Sequence, residues 1–170
     1  MTPAEIIKVL KDKFGAAILE GVESGLFPNA VVESAKIVDI CKFLRDDDDL
    51  KFDFLSVLGG RDLGEKLEVV YVLYSYNRHH TIALKTRTPR VNPSVPSVAK
   101  VWPAADWHER ETYDMFGINF EGHPDLRRIL LPDDWVGYPL LKDYVYPTSY
   151  GGIELQRKEE GWPDPGPEPK

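Results

Sequence analysis

The sequence predicts an α+β domain with a mostly antiparallel sheet, helices packed on one side, and an extended irregular C-terminal arm. Two amphipathic helix patterns occupy the N-terminal region, and three strand-like runs then follow one another without a helix between them. After these runs, proline, glycine and aromatic residues interrupt the chain repeatedly. We expect the α+β domain over residues 1–116, the interface arm over 117–150, and a Pro-rich flexible tail over 151–170.

The chain begins with the signals of a helix start. Thr2 and Glu5 have the spacing of a capping box, and Pro3 falls at the first helical position. An apolar residue recurs at helical spacing until Gly15, which suits a C-terminal cap. The first helix is therefore predicted over residues 3–14.

The rest of the domain alternates between helix and strand patterns. Residues 30–33 predict a strand and residues 34–45 a second helix. Three runs rich in β-branched and aromatic residues follow, over 52–58, 67–76 and 81–88. The segment YNRHH joins the last two as a hairpin loop.

Prolines at 89, 93, 96 and 103 then divide the chain into short pieces. We expect a short helix over residues 97–102 and a longer one over 103–116. Gly117 follows the longer pattern directly and is predicted to end that helix. Regular structure beyond it should be brief.

Composition excludes several classes of function. A net charge of −7 argues against general nucleic-acid binding. The single cysteine, Cys41, rules out an internal disulfide and a cysteine-held iron–sulfur cluster, and its helical spacing favours a small core residue. No window has the pattern of a membrane helix or a signal peptide, so we expect a cytoplasmic protein that meets a membrane only through a partner.

Motifs for catalysis fail on their spacing. HERET begins like the zinc-protease motif, but Thr112 occupies the position of the second histidine. In GGRDLGEK, Glu65 and Lys66 stand where a phosphate-binding loop needs Lys and Ser or Thr. The run from Asp46 to Asp49 lacks the alternation of a calcium loop and is typical of a solvated turn. We therefore expect no catalytic, cofactor-binding or metal site.

The helix predicted over 103–116 has only a narrow apolar stripe. Its charged side chains are therefore expected to pair with one another or with a partner. Arg110 has (i, i+4) spacing with both Asp106 and Asp114. Arg127 and Arg128 lie downstream and are expected to bind carboxylates of this helix. The carboxylates concerned are Glu109, Glu111 and Asp114. Its aromatic residues Trp107, Tyr113 and Phe116 should be buried, and acid–base catalysis by paired carboxylates stays open.

This segment closely resembles the signature of the 30 kDa subunit, also known as the C subunit, of proton-pumping NADH–quinone oxidoreductase (respiratory complex I). The match includes Glu-Arg-Glu at 109–111, then Asp114, Phe116 and Gly117, and the run HPDLRRIL from His123. It covers about residues 50–147. The family usually has arginine in the run Pro-Leu-Arg-Lys-Asp-Tyr-Pro, where this chain has Leu141.

The resemblance implies a cofactor-free assembly subunit with no independent catalytic activity, in the peripheral arm on the cytoplasmic face of the bacterial inner membrane. FMN and iron–sulfur clusters are expected in the partner subunits. The chief expected partner is the D subunit, which resembles a hydrogenase large subunit, and the B and I subunits should lie nearby. The residues that should form the partner interface and its supporting network are Trp107, Glu109, Arg110, Glu111, Asp114, Phe116, Gly117, His123, Pro124, Asp125, Arg127, Arg128, Pro132, Trp135, Lys142 and Asp143.

Two alternatives accompany this hypothesis. The same subunit type serves related membrane-bound hydrogenases and NDH-type complexes. A more remote alternative from another class is a metal-dependent hydrolase that uses His108, Glu109, Glu111 and His123. Metal analysis of the isolated chain distinguishes this alternative from the assembly subunit.

Overall fold

The computed structural model describes residues 1–25 and 28–155, so residues 156–170 of the predicted tail lie outside the described residues. Three α-helices and nine strands form the described chain. In order they are α1 (Pro3–Phe14), β1 (Ile18–Val22), β2 (Asn29–Val32), α2 (Ile37–Asp46), β3 (Phe54–Asp62), β4 (Lys66–Ser75), β5 (His80–Pro89), β6 (Ser94–Pro96), α3 (Ala105–Phe116), β7 (Asn119–Glu121), β8 (Ser149–Tyr150) and β9 (Ile153–Glu154).

The main sheet has five strands in the order β1-β2-β5-β4-β3. Only the β2–β5 pair is parallel, and the other three pairs are antiparallel. The β4–β5 hairpin forms as the YNRHH segment predicts, with Ser75 opposite His80. These observations confirm the predicted α+β class with a mostly antiparallel sheet.

The helices lie on one face of the sheet. Registers place Gly21 of β1 and Gly60 of β3 on the same face as Tyr71 and Leu84, which are fully buried. A Cβ on Gly21 would meet α1, and a Cβ on Gly60 would lie 2.6 Å from the Phe116 ring of α3. The absence of a side chain at Gly60 lets α3 approach this strand closely.

The first helix forms as its sequence predicts. The Thr2 hydroxyl accepts from the Glu5 backbone N–H, and the Glu5 carboxylate accepts from the Thr2 N–H. Gly15 ends the helix with a positive φ of 52°, and its N–H donates to Lys11. The capping box therefore fixes where α1 begins.

Several element boundaries differ from prediction. Residues 34–36 form a 3-10 turn before α2, and β3 begins at residue 54 and extends to 62. The predicted helix over 97–102 is wrong, because this segment forms turns closed by Val101 and Trp102 N–H groups on the Val98 carbonyl. Strand β1 is not predicted, since its sequence ILEGV includes Glu and Gly, which strands disfavour.

The apolar core lies between the helices and the sheet. Cys41 is fully buried within it, and burial raises the pKa of its thiol, as expected for a core residue rather than a reactive one. The core does not end at residue 116, because Ile118 and Phe120 belong to it and β7 pairs in parallel with β6. The start of the predicted arm is thus part of the folded domain.

Beyond β7 the described chain is irregular until a small hairpin. Strands β8 and β9 pair across Gly151 and Gly152, both with positive φ. The predicted boundary at residue 150 falls inside this hairpin. Within residues 1–25 and 28–155, no helix is long and apolar enough to cross a membrane.

Candidate partner interface

Helix α3 binds the segments on both sides of it in the chain through two buried carboxylates, Glu109 and Asp114. Glu109 is fully buried, and its two carboxylate oxygens accept from the Ser97 hydroxyl at 2.6 Å and from the Val98 N–H at 2.7 Å. These bonds tie the segment before α3 to the middle of that helix. Burial is the main reason that the pKa of Glu109 is raised to about 7, and the two hydrogen bonds oppose it.

His123 lies against the same carboxylate. Its Nδ1 accepts a hydrogen bond from the Asp125 N–H at 3.0 Å, so Nε2 is the donor nitrogen of the ring. Nε2 donates to the Asp106 carbonyl at 3.2 Å and lies 3.8 Å from Glu109. These contacts fix the ring between α3 and the start of the arm.

Asp114 makes the densest contact between helix and arm. One carboxylate oxygen accepts three successive backbone N–H groups, from Ile129 at 3.0 Å, Leu130 at 2.7 Å and Leu131 at 3.0 Å. The other accepts from the Arg128 guanidinium at 2.9 Å. Burial alone would raise the pKa of Asp114, but these bonds outweigh it and lower the pKa.

Arg128 extends the connection further along the arm. Its guanidinium also donates to the Gly137 carbonyl at 3.1 Å and lies 5.2 Å from the centre of the Tyr138 ring. The same ring packs on Gly117, where a Cβ would lie 2.5 Å from a ring carbon. Gly117 has φ 74° and ψ 16°, the left-handed conformation predicted for the residue that ends α3.

Other predicted pairs do not form. Arg110 makes no ion pair with Asp106 or Asp114 within the described chain; it donates to the Arg127 carbonyl at 3.3 Å and stacks 5.0 Å from Trp107. Arg127 binds Asp125 at 2.8 Å rather than a carboxylate of α3.

The prediction that Trp107 would be buried is wrong, since the side chain is 64% exposed. Glu111 is also exposed and has no ion-pair partner among the described residues. Phe116 packs over Gly60 of β3. Tyr113 is partly buried against the core and lies edge-to-face with Tyr138.

A second attachment point for the arm lies at Asp62, which the sequence did not predict. Asp62, at the end of β3, accepts from Arg90 at 2.6 Å, from the Gly64 N–H at 2.7 Å and from the Lys142 N–H at 2.9 Å. The Arg90 hydrogen bond is the main cause that lowers the pKa of Asp62 to about 2. Arg90 also contacts Asp143. The sequence offered one signal, an Asp two residues before a Gly, which is typical of a turn closed by the Asp side chain.

The remaining predicted residues lie along the arm. Pro124 is exposed, and the Pro132 carbonyl accepts from the Trp135 N–H. The Trp135 indole donates to the Tyr144 hydroxyl at 2.9 Å and packs on Tyr150. Leu141, which stands where the family usually has arginine, is partly buried against the core.

The domain holds the arm through two buried carboxylates, Asp114 and Asp62, while several large apolar side chains of the arm face outward. Val136 and Val145 are each 85% exposed. The exposed large hydrophobic residues of this part of the chain, which we call the arm surface, are Leu130, Val136, Leu140, Val145, Tyr146, Ile153 and Leu155, and Trp107 of α3 adds another. These side chains make the arm surface the candidate partner interface.

The geometry gives no support to hydrolytic chemistry. Both ring nitrogens of His123 are engaged by the backbone, and Glu109 is sealed by Ser97 and Val98. Among residues 1–25 and 28–155, no group of three histidine, cysteine or acidic side chains could hold a metal ion. The charged side chains of this site hold the irregular arm on the small domain.

Two solved structures contain a chain with a similar fold. The chain is similar to a chain of the membrane-bound sulfane sulfur reductase, an archaeal respiratory membrane complex, with a TM-score of 0.65, 26% identity and coverage of 79% of each chain. It is also similar to the trypsin-resistant fragment of Nqo5, with a TM-score of 0.55, 28% identity and coverage of 71% of this chain and 98% of that one.

The fold and the attachment of the arm define a small α+β domain that carries an irregular C-terminal segment. The model of one family, described as the 30 kDa subunit of respiratory-chain NADH dehydrogenase, matches residues 30–150. This chain belongs to that family. The NADH-quinone oxidoreductase C subunit of Chloroherpeton thalassium is 46% identical over 151 residues, which are 87% of this chain. The chain spans 63% of the length of that relative.

Proposed function

We propose that this chain is a cofactor-free structural subunit of a proton-translocating NADH–quinone oxidoreductase. In this proposal it has no catalytic activity of its own and supports electron transfer from NADH to quinone by docking the D subunit and the adjoining B and I subunits. Partner subunits hold FMN and the iron–sulfur clusters. The complex holds the chain on the cytoplasmic face of the bacterial inner membrane.

The exposed apolar side chains of the arm carry this proposal. The domain holds the arm through Asp114, which binds Arg128, and through Asp62, which accepts from the Lys142 N–H, while large apolar side chains of the arm stay exposed. Exposed large apolar side chains favour association with another protein. Family membership indicates which complex supplies that protein.

The experiment substitutes the two most exposed residues of the arm surface. The double variant Val136→Asp/Val145→Asp should reduce co-purification with the D subunit at least about tenfold, because charges would enter an apolar contact. Its unfolding midpoint in urea should match that of the parent, since both side chains are largely in solvent. Point substitutions are preferable to deleting residues 118–150, which would remove Ile118 and Phe120 from the core.

Val91→Asp is the matched control, because Val91 is 79% exposed but lies outside the arm. It should co-purify as the parent does. Undiminished co-purification of the double variant would contradict the proposed docking role.

A second candidate is the equivalent subunit of a related membrane-bound complex. The similarity to a chain of the sulfane sulfur reductase favours it, because that match has the higher TM-score of the two structures. The co-purifying subunits distinguish the candidates. An NADH-binding flavin subunit among them supports the first, and its absence supports the second.

A further inference from the structure

Strand β3 forms an open edge of the five-stranded sheet. A bulge between Leu55 and Val57 divides the strand, and regular pairing with β4 then runs from Val57 to Asp62. In the described part of the chain, no backbone–backbone hydrogen bond from another segment reaches the outer side of residues 57–61, and the arm meets only the Asp62 side chain at the strand's end. Half of their N–H and C=O groups therefore face away from the sheet without a protein partner.

The opposite edge is different. Strand β1 has five residues, and its pairing with β2 is irregular between Ile18 and Glu20. The Glu20 carboxylate binds Arg87 at 2.8 Å on β5, which lies beyond β2 in the sheet. A short edge with a charged side chain at its centre resists the addition of another strand, whereas β3 has nine residues and its stretch from Val57 to Gly60 has no charged side chain.

A groove of about 370 Å³ runs between this edge and helix α3. It is lined by Val57, Leu58, Gly59, Gly60, His108, Glu111, Thr112, Met115, Phe116 and Leu140. A Cβ at Gly59 would meet nothing within 4 Å, so the face of β3 opposite α3 is open at this residue. Leu140 belongs to the arm surface, which makes the groove continuous with it.

The chemistry of the groove defines its occupant. The unpaired backbone row of β3 is satisfied by an extended segment that adds as a further strand, whereas a compact ligand cannot pair with the whole row. Val57 is 49% exposed on one side, and Met115 and Leu140 line the other, so the segment should carry apolar side chains. Glu111 has no ion-pair partner among the described residues, so a basic side chain on the bound segment would complement its charge.

A second copy of this chain fits less well. Two β3 strands paired antiparallel about a two-fold axis would bring α3 of one copy toward α3 of the other. The Glu111 carboxylates would then approach each other, which is unfavourable. The occupant must therefore differ from this chain in charge.

We propose that β3 accepts an extended, apolar segment of a partner subunit as a sixth strand of the sheet, with a lysine or arginine of that segment directed at Glu111. This inference rests on the proposed function, since the partner belongs to the same complex. It adds a second contact surface of different geometry, in which backbone pairing, rather than side-chain burial alone, joins the two proteins.

Amide hydrogen exchange tests the added strand directly. Exchange over residues 57–61 should be at least about tenfold slower in the assembled complex than in the full-length isolated chain, because outward N–H groups gain acceptors. Equal exchange in an intact complex would overturn this inference and leave the docking role of the arm untouched. If the chain fails to assemble with any partner, the proposed function is overturned with it.

Cross-linking identifies the occupant. A photoreactive residue at Val57 should link to another subunit, and the matched position is Val22 in edge strand β1, which is 47% exposed. Val57 should link to a partner polypeptide and Val22 should not. A link from Val57 to a second copy of this chain would overturn the proposal.

Charge reversal tests the basic side chain. Glu111→Lys should weaken association at least about tenfold, because it would place like charges together. Glu23→Lys, an exposed reversal near the other edge, should have no effect. Equal association of both variants would exclude the proposed pairing with Glu111.

Discussion

The carboxylate of Asp114 and the guanidinium of Arg128 lie 2.9 Å apart, with Asp114 fully buried and the Arg128 side chain 12% exposed. This pair joins the end of α3 to the middle of the arm. A buried ion pair is costly to break, because removing one partner leaves the other charge without compensation. The pair is therefore expected to hold the middle of the arm in its observed position.

Asp114→Asn should destabilise the chain by about 3 kcal/mol. The asparagine amide has one oxygen acceptor where aspartate has two. Its NH2 group would face either Arg128 or the backbone N–H groups of residues 129–131, all of which are donors that need an acceptor. Urea unfolding followed by circular dichroism measures the loss. Asp125→Asn is the control, since its pair with Arg127 is exposed and the midpoint should not move. Equal midpoints for both variants would contradict a structural role for the buried pair.

Glu109→Gln should change how stability depends on pH. The pKa of Glu109 is about 7 in the folded chain and 4.5 for an unperturbed glutamate, so the folded state favours the protonated form. Its stabilising contribution is complete below pH 4.5 and is lost as the pH rises through about 7. At pH 8 the glutamine variant should be more stable than the parent by up to about 3 kcal/mol.

Urea unfolding between pH 5 and about 8 measures this effect. Glutamine can still accept from the Val98 N–H and donate to Ser97, so the local structure is kept. The exposed variant Glu111→Gln should retain the pH dependence of the parent. Parallel pH profiles for the parent and Glu109→Gln would contradict the raised pKa.

A comparison of Gly117→Ala with Gly122→Ala separates the steric cost of an added Cβ from its backbone conformational cost. Both glycines have positive φ, 74° and 78°, so both alanines carry a similar backbone cost of about 1 kcal/mol. Only at Gly117 would the added Cβ meet the Tyr138 ring. We expect an extra loss of about 2 kcal/mol for Gly117→Ala. Thermal and urea unfolding of the two variants measure the difference, and its absence would show that Tyr138 does not pack there.

Trp107→Ala should affect association more than folding. The indole is 64% exposed, and within the chain it stacks on Arg110. Unfolding free energy should change by less than about 0.5 kcal/mol. Binding to the partner subunit should weaken by at least about 2 kcal/mol, because exposed tryptophans are frequent centres of binding energy. A variant that binds the partner normally but has a lower unfolding free energy would contradict a role of Trp107 in association.

Local signals predicted local structure well. The capping box at Thr2 and Glu5, the helix end at Gly117 and the β4–β5 hairpin depend on neighbouring residues, so the sequence specifies them directly. The choice of partners within the charged helix depends on the folded path of the arm. Asp114 was one of three carboxylates open to Arg128, and nothing in their spacing distinguishes them.

Side-chain exposure in α3 was the feature that the sequence predicted least well. An aromatic residue in a charged helix suggests burial, yet the helix turns Trp107 outward and buries Glu109 and Asp114 instead. This inversion arises because Ser97 and Val98 donate to Glu109, while the arm brings backbone N–H groups and an arginine to Asp114. Tertiary partners of that kind lie 14 to 17 residues away and leave no periodic trace in the sequence.

The three amides of residues 129–131 on Asp114 have a consequence for the speed of assembly. An arm held in this way before it meets a partner has already lost most of its conformational entropy during folding. The partner then meets a fixed shape, and association approaches the docking of two rigid bodies instead of coupled folding and binding. Loosening Asp114 would slow this encounter even where every contacting side chain is unchanged.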